Sequence, residues 1–303
     1  MNPLTGILLK LGSVFIFTVM AAVLKATAVT IPAGEQVFFR SLFAIPVILV
    51  WLVWRGDLAT GLKVRDPMSH FYRGIVGSIA MGTGFAGLGL LPFPEATALG
   101  YAMPLLTVIF AAMFLAEKVG AFRLGMVALG LAGVLLVLSP RLSISAGAVT
   151  MGESLGAVLT LTGAAFGALA QIFISKMVAT ERTAAVVFWF SVTATVLSLV
   201  TLPFGWVMPD PRTAMLLVSC GLMGGAAQIM LTSAYRHADA SLVAPFDYAS
   251  MLMALAIGWF VFGEGASPRM LAGAAVIIAA GVAIIWREHR LGISRARRAG
   301  TPR

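Results

Sequence analysis

Residues 6–28, GILLKLGSVFIFTVMAAVLKATA, and residues 153–175, ESLGAVLTLTGAAFGALAQIFIS, decide the fold between them. Each is an apolar run of the length that crosses a bilayer core of about 30 Å, which takes roughly 20 residues because every backbone N–H and C=O must be bonded within the segment. Offset by 151, they superpose Gly12 on Gly163, Phe15 on Phe166 and Lys25 on Lys176. The matching continues outward: an offset of 144 puts Gly77 on Gly221 and Glu95-Ala96 on Asp239-Ala240, and offsets of 147 and 148 put Glu117 on Glu264, Gly125 on Gly273 and Gly133-Val134 on Gly281-Val282. A near-constant offset in constant order marks an internal duplication, and its slow drift marks short loop insertions.

Between and beyond these runs the sequence holds ten candidate spans, at about 6–28, 34–54, 70–91, 95–116, 122–139, 153–175, 184–205, 213–235, 240–262 and 267–286. Short turns separate several of them, at Pro92-Phe93-Pro94, Pro209-Asp210-Pro211 and Gly263-Glu264-Gly265. Five spans per copy is an odd number, so the second copy enters the membrane from the opposite side. The expected fold is an all-α membrane protein of ten transmembrane helices arranged as two inverted five-helix repeats, residues 1–145 and 146–290, with a basic tail over 291–303. The first run is read as a retained span and not a cleaved leader, because Lys25 interrupts its end and the repeat requires it.

Composition agrees. Of 303 residues, 60% are hydrophobic and 11% charged, with a mean hydropathy of +0.98, which disfavours a water-soluble enzyme, a disordered chain or a nucleic-acid binder. The net charge of +9 is mostly topological. With the N-terminus inside, connecting segments on that side hold 15 of the 21 Lys and Arg, which places both termini in the cytoplasm. Arg73 is counted among them, and Lys10 and Arg40 fall inside spans. The single cysteine, Cys220, excludes an intrachain disulfide and a cysteine-based metal site. Gly82-Thr-Gly-Phe-Ala-Gly87 satisfies GxGxxG but lies mid-span, where small residues serve close helix approach, and no GxxxxGK[ST] loop exists. No cofactor, no metal and no nucleic-acid partner is expected; the expected partners are membrane lipid and a small-molecule substrate.

Glu35-Gln-Val-Phe-Phe-Arg40, Pro92-Phe-Pro-Glu-Ala-Thr-Ala98 followed by Tyr101 and Pro104, Leu115-Ala-Glu117-Lys-Val, and Ala238-Asp-Ala-Ser-Leu-Val-Ala-Pro245-Phe-Asp-Tyr248 leading to Phe262-Gly-Glu264 resemble the drug/metabolite transporter superfamily and its ten-helix EamA-type members. The resemblance covers nearly the whole chain. It implies alternating-access movement of a small organic metabolite across a bacterial inner membrane, with the cavity between helices 1 to 4 and 6 to 9. Similar members export amino acids and related compounds, while others take up vitamins or nucleosides.

A charge at the centre of a span costs roughly 2.5–3.5 kcal/mol even on the lenient insertion scale, so it faces a cavity or a partner. Arg40 in the second span and Asp247 in the ninth bracket the midplane. Together they can offer a cation to a substrate carboxylate and an anion to its amine; alternatively Arg40 snorkels to the headgroups and Asp247 is a structural acceptor beside Pro245. Asp247 is also the candidate for proton coupling. Gln228 lies on a one-face stripe with Gly221, Gly224, Thr232 and Tyr235, and Gln171 on one with Ala164, Ala168 and Ser175; both amides are read as substrate contacts or as hydrogen-bonding glue between helices. Tyr101 and Tyr248 superpose at the 147 offset and are candidate stacking or hydrogen-bonding contacts. Pro46, Pro104 and Pro245 remove backbone hydrogen bonds inside spans and are candidate hinges or gates. Lys25 is expected to snorkel, and Glu117 and Glu264 to fix loops.

No catalytic constellation is present: His70 and His237 lie near helix ends and His289 in the tail. The expected function is export of an amino acid or related compound by a secondary transporter. Uptake of a riboflavin- or S-adenosylmethionine-like solute, and a non-transporting membrane subunit, are the alternatives.

Overall fold

A computed structural model describes residues 3–114, 120–142, 151–177, 180–237 and 244–299. They form ten helical units: α1 Pro3–Thr27, α2 in two segments Ala33–Leu42 and Ala44–Trp54, α3 Pro67–Leu90, α4 in two segments Phe93–Gly100 and Ala102–Phe114, α5 Ala121–Leu142, α6 Met151–Met177, α7 Thr183–Ser198, α8 Pro211–His237, α9 as the 3-10 turn Ala244–Tyr248 with Ala249–Phe262, and α10 Pro268–Ala299. Among the described residues no strand occurs. Six units are long and apolar enough to cross a membrane, three shorter apolar helices run over 124–139, 246–262 and 268–284, and α3 has the length but carries His70, Arg73 and many glycines. α10 continues well into the stretch expected as a basic tail. Exposed Val50, Trp54, Leu252, Trp259 and Phe260 present the apolar exterior that lipid requires.

The helix breaks follow from proline. Pro46 lacks an N–H and its ring crowds the carbonyl of Leu42, where the first segment of α2 ends. Pro104 does the same to Gly100, and α4 breaks at Tyr101. Pro245 stands in the 3-10 turn that opens α9. Starts are set by a repeated cap. Asp66-Pro67 opens α3 with the Asp66 carboxylate accepting from Met68 N and Ser69 N, and Asp210-Pro211 opens α8 with the Asp210 carboxylate accepting from Arg212 N and Thr213 N. The two caps lie 144 residues apart. Gly263, at φ +64°, ends α9 in the left-handed conformation that a residue with a side chain resists.

Packing shows the inversion directly. α1 lies against α8 as α6 lies against α3; α4 meets α6 as α9 meets α1; α2 meets α8 as α7 meets α3. Three further seams pair an element with its own counterpart: α2 with α7, α4 with α9 and α5 with α10. These are the contacts of a pseudo-two-fold axis lying in the membrane plane. Along the α3–α6 seam, a Cβ on Gly163 would stand 2.9 Å from Gly84 N and 3.0 Å from the Ala80 carbonyl oxygen, and one on Gly87 would stand 2.7 Å from Thr160 N. The GxGxxG stretch therefore serves close backbone approach. At the axis, Gly133 and Gly273 press on one another's carbonyl oxygens across α5 and α10.

Gly163→Leu is expected to destabilise by about 1–3 kcal/mol, because backbone atoms cannot yield to the added side chain. Its apparent melting midpoint in detergent should fall below wild type. Gly82→Ala, whose Cβ meets nothing within 4 Å, should not lower it; equal midpoints for Gly163→Leu and wild type would contradict this packing.

Candidate functional site

At the crossing of α2 and α7, Val37-Phe38-Phe39-Arg40 matches Val187-Phe188-Trp189-Phe190 at an offset of 150. The pseudo-symmetric positions meet: the Arg40 guanidinium carbon stands 5.9 Å from the centroid of the Phe190 ring. Arg40 is 5% exposed, so it does not snorkel to the headgroups, and its Nε has no hydrogen-bond partner. It lies along Gly224 of α8, where a Cβ would stand 3.0 Å from Nε. Gly221 and Gly224 of the stripe thus face α2, with Gly221 against Phe39 and Phe43, while Gln228 lines a space with Arg73 and Phe190; the side chains of Thr232 and Tyr235 lie outside the described set.

Arg73 joins Arg40. The sequence reading counted it in a connecting segment, but the structure places it inside α3, 9% exposed, with its guanidinium carbon 4.2 Å from the same Phe190 ring. Its Nε and Nη1 are buried without hydrogen-bond partners. The signal was present as a helical face, since Arg73, Gly77 and Gly84 are spaced by four and seven. A void of about 40 Å³, lined by Phe190, Gln228, Ile174, Val186 and Val187 among others, lies beside Arg73. Gln171 sits one turn before Ile174 on α6 and is partly buried.

Asp247, Tyr248 and Tyr101 form a second cluster. Asp247 is not a lone anion, because Lys10 of α1 holds it at 2.7 Å; the lysine is buried and the carboxylate side chain is 45% exposed. Tyr101 and Tyr248, the symmetric pair, touch edge to face with centroids 5.2 Å apart, and Tyr101 shares a 2.6 Å hydrogen bond with Ser250. Gly281 of α10 leaves the room that the Tyr248 hydroxyl fills.

Acids at the helix ends tie the two halves together. Glu35, opening α2, accepts from Val207 N at 3.0 Å in the connection before α8. Glu181, before α7, accepts from Arg65 N and Asp66 N at 2.8 and 2.9 Å in the connection before α3, with His70 at 3.5 Å. Burial pushes the Glu181 carboxyl up, but the Asp66 and Arg65 N–H groups and His70 outweigh it and hold it below the ordinary 4.5. Lys25 does not snorkel: it pairs with Glu264 at 3.0 Å and donates to the Leu91 carbonyl, while Glu264 accepts from Phe93 N at 2.6 Å. Glu117 lies outside the described residues, as do residues 238–243. A wider cleft of about 300 Å³ opens beside Trp51, Arg55, Asp57 and Arg182, but Arg182 already grips Asp57 at 2.6 and 2.8 Å. Among the described residues no group of His, Cys, Asp and Glu could hold a metal ion.

Lys10→Met and Asp247→Asn should each lower the melting midpoint, and the double variant should recover part of the loss. The coupling is expected within about 0.5–3 kcal/mol, toward the low end because the carboxylate is half-exposed; strictly additive losses would contradict a working ion pair. Glu181→Gln should melt below wild type at pH 7. A carboxyl whose pKa is lowered by folding contributes fully above its ordinary value and loses that contribution as pH falls through the lowered one, so the gap should narrow only below pH 4.5.

The model of the EamA-like transporter family matches residues 4–139 and 154–287, once in each half. A pseudopaline exporter of Pseudomonas aeruginosa is 30% identical over 284 residues, covering 92% of this chain and 95% of the relative. A riboflavin transporter of Rhizobium johnstonii is 28% identical, covering 86% and 83%, and an S-adenosylmethionine uptake transporter of Rickettsia prowazekii is 27% identical, covering 96% and 94%. One crystal structure superposes with a TM-score of 0.67 at 20% identity over 94% of this chain and 98% of its own, a likeness of fold.

Proposed function

The chain belongs to the EamA-like transporter family and is a small-molecule transporter, not an enzyme, and we propose that it exports an amino acid or related metabolite across the bacterial inner membrane by alternating access. The observation that carries this reading is Arg40: a buried cation, unpaired at Nε, where the two inverted halves cross. Such a charge in a lipid-embedded core is retained for a partner that comes and goes. A substrate carboxylate supplies that partner, with Gln228 and Gln171 on the helices beside it. Residues 1–145 and 146–290 are the moving halves, with both termini cytoplasmic.

The Glu35 and Glu181 contacts, on opposite faces, are the gates that open in turn, and the breaks at Pro46, Pro104 and Pro245 are the hinges. Tyr101 and Tyr248 line the path on the axis. Asp247 is the coupling group: a proton on its carboxylate removes the charge that holds Lys10, freeing α1 from the start of α9. A relative named as a riboflavin transporter and one named for S-adenosylmethionine uptake support the alternative of bringing in a riboflavin- or S-adenosylmethionine-like solute. A non-transporting subunit gives Arg40 no evident role.

Counterflow in proteoliposomes against a panel of amino acids, purines, riboflavin and S-adenosylmethionine tests the proposal. At least one solute should exchange. Arg40→Ala should slow it roughly ten- to a hundredfold, the equivalent of losing a charge-assisted hydrogen bond of about 1.5–3 kcal/mol. Normal rates with Arg40→Ala would overturn the assignment. An imposed pH gradient should drive wild type and not Asp247→Asn; indifference of wild type would remove the coupling role.

A further inference from the structure

The unpaired polar chemistry of the core lies on α2 and α3. Four of the acids described near the core are engaged elsewhere: Glu35 with Val207 N, Glu181 with Arg65 N, Asp66 N and His70, Asp247 with Lys10, and Glu264 with Lys25 and Phe93 N. Among the described residues, no carboxylate pairs with Arg40 or Arg73. Both guanidinium groups stand over one ring, Phe190, and so lie within about 10 Å of each other, where like charges in a low-dielectric interior repel strongly. Three of their N–H-bearing atoms, Arg40 Nε and Arg73 Nε and Nη1, are buried with nothing to donate to. Leaving a buried donor unsatisfied is costly, more so when it is charged. A ligand with a single carboxylate can pair with only one of the two guanidinium groups and leaves the other without an anion.

We propose that Arg40 and Arg73, joined over Phe190, form a binding site for a metabolite bearing two carboxylate groups, one to each guanidinium. The proposal rests on the transporter reading and narrows its cargo from amino acids in general to dicarboxylic compounds, acidic amino acids among them. Arginine suits the task because its planar fork takes a carboxylate bidentately. Phe190 gives the two cations a shared aromatic neighbour and donates no competing hydrogen bond, which leaves their N–H groups to the ligand. The void of about 40 Å³ reaches Arg73 and Phe190 and is too small for a whole diacid, so the ligand reaches Arg40 as α3, α7 and α8 part.

Binding is measured apart from transport, by isothermal titration of the purified detergent-solubilised protein with succinate against monomethyl succinate, and with L-glutamate against L-glutamine. Wild type should bind each diacid at least tenfold more tightly than its monoacid partner. Arg73→Gln and Arg40→Gln should each reduce that ratio to below about threefold. Equal binding of diacid and monoacid by wild type overturns the proposal without any variant needing to fold, as does a diacid preference that survives in Arg73→Gln. If a panel solute still exchanges in counterflow while no diacid preference exists, the transporter reading stands and this inference alone falls. If diacids bind selectively and nothing exchanges, the site stands and the transport reading falls.

Discussion

The close approach of backbone at Gly84 and Gly163 is the constraint from which the rest of the arrangement follows. In lipid there is no hydrophobic drive to bring apolar helices together, so contact depends on small residues that let backbones pack. By committing the second half of α3 to α6, this seam turns the same face of its first half, with Arg73, Gly74 and Gly77, onto α7: Gly74 has room only for Thr193, and Gly77 only for Phe190 and the folded Arg73 side chain. The mate of this seam, α1 against α8, lacks the second glycine. At the position matching Gly84 it carries Gln228, and Ser13 of α1 bonds the neighbouring Ala227 carbonyl at 2.9 Å. One seam therefore closes backbone to backbone at this height, and the other holds a glutamine and a serine there.

Function enters where the duplicated halves have diverged. Tyr101 faces Tyr248, like against like, and the glycines of α5 and α10 are equally reciprocal. Arg40 faces Phe190, a cation against the ring that replaces it in the second half. Symmetry makes the two faces equivalent, while the asymmetric pair gives the centre its charge. The end contacts obey the symmetry as well, since an acid at the start of the second helix in each half takes N–H groups from the connection before the third helix of the other. With both made, the space at Phe190 is small.

The ten units, their order and their breaks were legible in the chain because each has a local cause. Apolar length marks a span, a proline marks the break four residues before it, and an offset near 148 marks the duplication. Arg40 was legible because it interrupts an apolar run. Arg73 was not, because it stands only three residues into the span over 70–91 and counts there as one of the basic residues of the cytoplasmic side; only its helical register with Gly77 and Gly84 betrays it. Lys10 with Asp247, Lys25 with Glu264, and Glu35 with Val207 join positions more than 170 residues apart, and no local pattern encodes which acid a lysine meets. The repeated Asp-Pro cap before α3 and α8 was open to reading, once the two stretches were aligned at 144.

The central claim is that the substrate's acidic groups are held by two arginines at the crossing of the inverted halves. A structure of the protein with a transported metabolite bound tests it most directly. The account predicts carboxylate oxygens within hydrogen-bond distance, about 2.7–2.9 Å, of both Arg40 and Arg73, with the ligand against Phe190 and Gln228. A ligand seated elsewhere, with both guanidinium groups left as they are here, would contradict it.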